Sequence, residues 1–108
     1  MANQPIPVSK ANALMQEYVS YMTGLGVTMS QQTQTVSFDA AALMQWLNNI
    51  GTNMDELRIC LGVYEPTDPD AGRITVALWP YKNGQPATEV DRGVTVEIEP
   101  FNEGTGQP

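Results

Sequence analysis

Apolar residues recur at two different periods along this chain, and the switch between them divides it in two. Ala11, Leu14, Met15, Tyr18, Val19, Met22 and Leu25 fall at spacings of three and four, with Asn12, Gln16, Glu17, Ser20 and Thr23 between them. That spacing lays one apolar stripe along an amphipathic helix. Ser9 is placed to cap it by accepting from a first-turn amide. Gly24 and Gly26 are placed to end it, because glycine accepts the left-handed conformation on which helices often finish. A second helix follows in "FDAAALMQWLNNIG". Asp39 is its N-cap, Phe38 is set to pack on Leu43 as a hydrophobic staple, and Gly51 stops it. Its expected core face is Ala40, Leu43, Met44, Leu47 and Ile50, with Trp46 off the centre of that stripe. The polar stretch between the helices, "VTMSQQTQTVS", reads as a loop with a short extended piece at residues 35–38. In "TNMDEL", Thr52 and Asp55 stand at capping-box spacing.

From Leu57 the period drops to two. Leu57, Ile59, Leu61 and Val63 alternate with Arg58, Cys60, Gly62 and Tyr64. After the turn "EPTDPDAG", Ile74, Val76 and Leu78 alternate with Thr75, Ala77, Trp79 and Tyr81. Asn83-Gly84 is a strong hairpin signal, since a type I′ turn needs positive φ at both central residues. Residues 85–90 should then return as a short third strand, pushed toward an edge by Pro86. "DRG" turns the chain again into Val94, Val96 and Ile98, a fourth strand ended by Pro100. Its Glu97 and Glu99 read as a charged guard against edge pairing. Two helices followed by a run of turn-linked strands predict an α+β domain, with two N-terminal helices packed on a C-terminal antiparallel meander of about four strands. The expected divisions are an arm over residues 1–8, one domain over 9–100 and a flexible tail over 101–108.

Composition narrows the function. The chain has 108 residues, 42% of them apolar, which suits one domain with one packed core. Five basic residues against twelve acidic ones give a net charge of −7. Lys10, Arg58, Arg73, Lys82 and Arg92 are scattered, and nucleic-acid affinity rests on clustered cations; neither a nucleic acid nor an anionic membrane is an expected partner. The charge can simply keep a small domain soluble, or steer it toward a basic protein. The single cysteine, Cys60, excludes an internal disulfide. With neither a signal-like segment nor an apolar run of membrane-spanning length in this sequence, the default expectation is a soluble, cytoplasmic protein.

Candidate chemistry is thin. Histidine is absent, which removes serine–histidine and cysteine–histidine catalysis and histidine-bearing zinc sites. Glu65, Asp68 and Asp70 crowd one loop, yet Pro66 and Pro69 intervene and the spacing lacks the central glycine and distal glutamate of a calcium loop; turn chemistry is the simpler account. Asp55-Glu56 reads as helix-start chemistry, and "GLG" at 24–26 follows a helix where a phosphate-cradling loop should precede one. Cys60 suits a packed small residue, although Arg58 two positions away on the same face keeps a reactive thiol open. No metal or cofactor is expected.

The most informative constellation is the second face of the strands. If Leu57–Val63 and Ile74–Leu78 face the helices, the other side carries Cys60, Tyr64, Ala77, Trp79 and Tyr81 with Arg58 and Thr75. Outer faces are normally polar, and tyrosine and tryptophan are enriched at interfaces. Three readings stay open: a helix covers this face too, it meets a protein partner or a second copy, or it holds a small ligand anchored by Lys82 and Arg58. The interaction-surface candidates are Arg58, Tyr64, Trp79, Tyr81 and Lys82.

The run from "FDAAALMQWLNNIG" through "DELRICLGVY" to "RITVALWPYKNGQPA" resembles a group of small uncharacterised single-domain proteins of Bacteroidetes-type bacteria. The shared outline is a phenylalanine-led helix, a strand of the Leu-Arg-Ile-aromatic-x-Gly kind, and an apolar strand closing on an Asn-Gly turn. It covers residues 36–88 and leaves out the last strand and the tail; Cys60 stands where an aromatic is more usual. The resemblance implies a bacterial source, no known activity and no site residues. The expectation from residues and charge together is a non-catalytic protein–protein interaction or assembly module, either a homo-oligomer or an acidic immunity- or inhibitor-type protein. The alternative is a small-molecule-binding protein, or an enzyme using carboxylates or Cys60.

Overall fold

The computed structural model describes residues 3–102 and 105–107 and shows an α+β chain with two helices and antiparallel strands. Helix α1 spans Val8–Gly24. Its start is two residues earlier than expected: Pro7 holds the N-cap position without a side-chain bond, and Ser9 lies inside the helix. Proline suits a helix entrance because its missing N–H would be unpaired there anyway. The end is as the glycines require. The Val27 N–H donates to Met22 and the Gly26 N–H to Thr23, both at 3.0 Å, with Gly26 at φ 89°. This is the Schellman closure of a helix.

Strand β1 is short, Thr35–Ser37, and leads into α2, Ala40–Ile50. The Asp39 carboxylate caps α2 by accepting from the Ala42 N–H at 2.9 Å, and Gly51 closes it at φ 54°. The next residues form a single 3-10 turn, Gly51–Asn53, with no side-chain cap. Asp55 does not close a capping box; its carboxylate accepts from the Asn83 N–H at 3.2 Å, tying this corner to the distal hairpin.

Strands β2, Glu56–Val63, and β3, Ile74–Lys82, pair antiparallel over their whole overlap, with Ile59 opposite Leu78. Asn83 at φ 52° and Gly84 at φ 78° make the expected turn. The returning segment is split. β4, Gln85–Pro86, pairs with β3, whereas β5, Thr88–Asp91, pairs with β6, Val94–Glu97. The expected four-stranded meander is thus two ladders. Pro80 and Pro86 lack the N–H that a continuous ladder needs. Ala87 joins the pieces: its N–H donates to the Pro80 carbonyl at 2.9 Å, and its own carbonyl accepts from Ile98 at 3.0 Å. Arg92 and Gly93, both at positive φ, turn β5 into β6.

Within the segment expected as a tail, Phe101 exchanges two backbone bonds with Leu78, at 2.8 and 2.9 Å, and β7, Thr105–Gln107, pairs with β1. Residues 103, 104 and 108 of that segment, and residues 1 and 2 of the arm, lie outside the described residues.

The core is small and sits at one end. Ile50, Ala87 and Ile98 are buried together, with Trp46 and Met54 packed on them. Phe101 stacks obliquely on Trp46 at 5.0 Å and on Phe38 at 5.6 Å. Trp46, expected off the stripe, is therefore a core residue, while Ala40 and Met44, expected inside, are exposed. The ring of Trp46 reaches the Phe101 that the chain brings back beside β3. No residue of α1 is buried. Its expected stripe divides into half-buried Ala11, Tyr18, Val19 and Met22 and exposed Leu14, Met15 and Leu25. The radius of gyration is 16.6 Å, against about 13 Å for a compact chain of this length.

Candidate functional site

Ile59 and Leu61 lie on the side of the sheet where α1 stands, as expected, but the row Leu57, Ile59, Leu61 and Val63 is not packed beneath the helices. Its residues are 39, 66, 79 and 61% exposed. Their neighbours on the same face of β3 fare differently along the strand: Leu78 and Pro80 are buried toward the core, and Ile74 and Val76 are half-buried. The physical reason is where cover ends. Phe101 and α2 gather over the Leu78–Pro80 end, whereas α1 stands away from the rest of the sheet. It is anchored by the Tyr18 hydroxyl, which donates to the Thr33 carbonyl at 2.8 Å. Between them runs an open groove of about 520 Å³. Leu14, Met15 and Tyr18 form one wall, Val36 and Phe38 the end, and Ile59, Leu61, Ile74 and Val76 the floor.

The backbone of β2 is also open. Antiparallel strands alternate the direction of their hydrogen bonds. The Tyr64 N–H donates to Arg73, and on β3 Leu78 bonds outward to Phe101. The even-numbered residues of β2 therefore bond β3, and the N–H and C=O groups of Leu57, Ile59, Leu61 and Val63 point away from it. β3 is flanked on its other side by β4 and Phe101; β2 is the outer strand.

On the opposite face the candidates engage one another. The Arg58 guanidinium lies 3.9 Å from the centre of the Tyr81 ring and pairs with Glu56 at 3.1 Å. Arg58 is thus turned to Glu56 and Tyr81. Trp79 stands opposite Arg58 in the ladder, half-buried, with its Nε1 buried and without a hydrogen-bond partner among the described residues. The Thr75 hydroxyl donates to the Tyr64 hydroxyl at 3.2 Å. Lys82 Nζ donates to the Thr52 carbonyl at 3.2 Å. So Arg58, Trp79 and Tyr81 share one patch, Tyr64 lies at its far end, and Lys82 is drawn to the corner after α2. Sequence alternation found this patch but missed the exposed one, because it sorts residues into faces without saying which face is covered.

The acidic loop builds its own turn. Asp68 Oδ1 accepts from the Asp70 N–H at 2.8 Å, and Asp70 pairs with Arg73 at 3.5 Å. Among the described residues, no three acidic or cysteine side chains converge as a metal cluster would. Among them too, no helix is long and apolar enough to cross a membrane. No family model matches the chain, and no curated protein or solved structure matches it.

Proposed function

We propose that this chain is a non-catalytic binding or assembly module that takes another polypeptide against the apolar face of β2 and the groove beneath α1. The observation that carries it is the row Leu57, Ile59, Leu61 and Val63, exposed along an outer strand. A contiguous apolar patch of this kind on a small domain is a mark of association. An extended strand edge also offers main-chain bonds that a polypeptide can complete. A small ligand fits less well: such sites pair apolar walls with a few converging polar groups, and this groove is open along its length with a floor of aliphatic side chains. The absence of histidine supports the non-catalytic part.

The test is a double substitution, Ile59→Lys with Leu61→Lys. Both side chains are exposed, so the fold should persist by circular dichroism and urea titration, while association measured by sedimentation or by retention on immobilised wild-type protein is lost. Association that survives the pair unchanged overturns the reading.

A further inference from the structure

Resting on that reading, we infer that the polypeptide β2 receives is the β2 of a second copy, paired antiparallel about a two-fold axis through Cys60. The outward-pointing backbone groups belong to Leu57, Ile59, Leu61 and Val63. Two antiparallel β2 strands can bond through these groups only where odd-numbered residues stand opposite odd-numbered ones. Centring the axis on Cys60 sets Leu57 against Val63 of the second copy and Ile59 against its Leu61. Every exposed apolar side chain of the strand then meets another on the same face, which is how cross-strand pairs stabilise a sheet. The three-stranded sheets of the two copies become one six-stranded sheet.

Two further features favour a copy. β2 has no proline, lysine or bulge against edge pairing, and its two charged residues, Glu56 and Arg58, sit together at one end of the strand. By contrast Pro86 lies in β4. Charge points the same way within the strand, since Glu56 and Arg58 neutralise each other in place and residues 57–63 bring no acidic side chain. Net charge of −7 per copy does repel, and Asp55 and Glu65 come near one another just beyond each end of the ladder. The pairing should therefore tighten as salt rises, the reverse of what a basic partner would show.

Cys60 reports the register. It is an even-numbered residue, so the axis places it opposite its own copy at a non-hydrogen-bonded position, where Cα atoms lie about 4.5 Å apart, within the range a disulfide spans. It is partly exposed and free. Diamide can take two electrons and two protons from the facing thiols, leaving one disulfide and the reduced hydrazine.

The experiment combines sedimentation with diamide oxidation and non-reducing electrophoresis. Wild-type protein should sediment at twice the monomer mass at high salt and convert to a covalent dimer. Cys60→Ser should remain a dimer and form no covalent species. Leu61→Lys should be a monomer and fail to cross-link although Cys60 is intact. Leu61→Pro, which removes one outward N–H without touching the β3 ladder, should do the same. A wild-type monomer at high salt overturns the inference, as does a dimer that persists in Leu61→Lys or is not joined through Cys60. If wild-type protein is monomeric yet holds a different protein that the Ile59→Lys, Leu61→Lys pair releases, the copy is wrong and the binding face stands. If that pair releases nothing, both fall.

Discussion

Asn83 holds a left-handed backbone at φ 52° without being glycine, and its own N–H is bonded to the Asp55 carboxylate. Asparagine tolerates this conformation better than most residues. Asn83→Ala should cost about 1 kcal/mol, read as a lower urea midpoint, and Asn83→Gly should cost less. Trp79 makes a second residue-scale test. It stands half-buried opposite Arg58 in the ladder, on the face away from the groove. Trp79→Ser should lower stability but leave self-association in place once the protein is folded; loss of association in the folded variant would return the binding surface to the aromatic face. Asp39→Ala, which strips the cap from α2, should destabilise by about 1 kcal/mol without altering association.

At the scale of elements, the periods of three-and-four and of two found both helices, β2 and β3, since each period follows from backbone geometry alone, and Asn83-Gly84 found the turn between β3 and β4. Pairing was less legible. Pro80 and Pro86 interrupt the ladder, and Ala87 hands the chain from one hairpin to the other through two backbone bonds, a long-range arrangement that side-chain alternation does not encode. The return of Phe101 beside Leu78 was equally hidden, and with it the reason Trp46 belongs to the core. The candidate site divides in the same way. Alternation correctly grouped Arg58, Trp79 and Tyr81, but exposure of the Leu57–Val63 row depends on where α1 stops covering the sheet. Ala87 is only 1% exposed, so Ala87→Leu should overpack the junction and cost roughly 1–3 kcal/mol, measured by denaturation. Leu61→Lys on the open strand should move monomer stability by no more than about 0.5 kcal/mol.

For the whole molecule, extents of 51 × 38 × 26 Å describe an elongated particle whose buried cluster occupies one end. Stability should be distributed accordingly. The amides of Ala87 and Ile98, bonded on either side of the same buried residue, should exchange with solvent slowly and at matching rates. Those of α1 should exchange much faster, because no side chain of that helix is buried and regions with few buried contacts open locally. Hydrogen exchange read by mass spectrometry at high and low protein concentration checks both, and adds a third result: amides of Ile59 and Leu61 should gain protection only at high concentration.

The Tyr18 hydroxyl at the Thr33 carbonyl, noted above as an anchor, has a mechanical meaning as well. It is a long-range side-chain bond from α1 to the rest of the chain, and it is made by the same helix whose Leu14 and Met15 wall the groove. Tyr18→Phe removes this tie while keeping the ring, and should make the amides of α1 exchange faster still, with those of Ala87 and Ile98 unchanged.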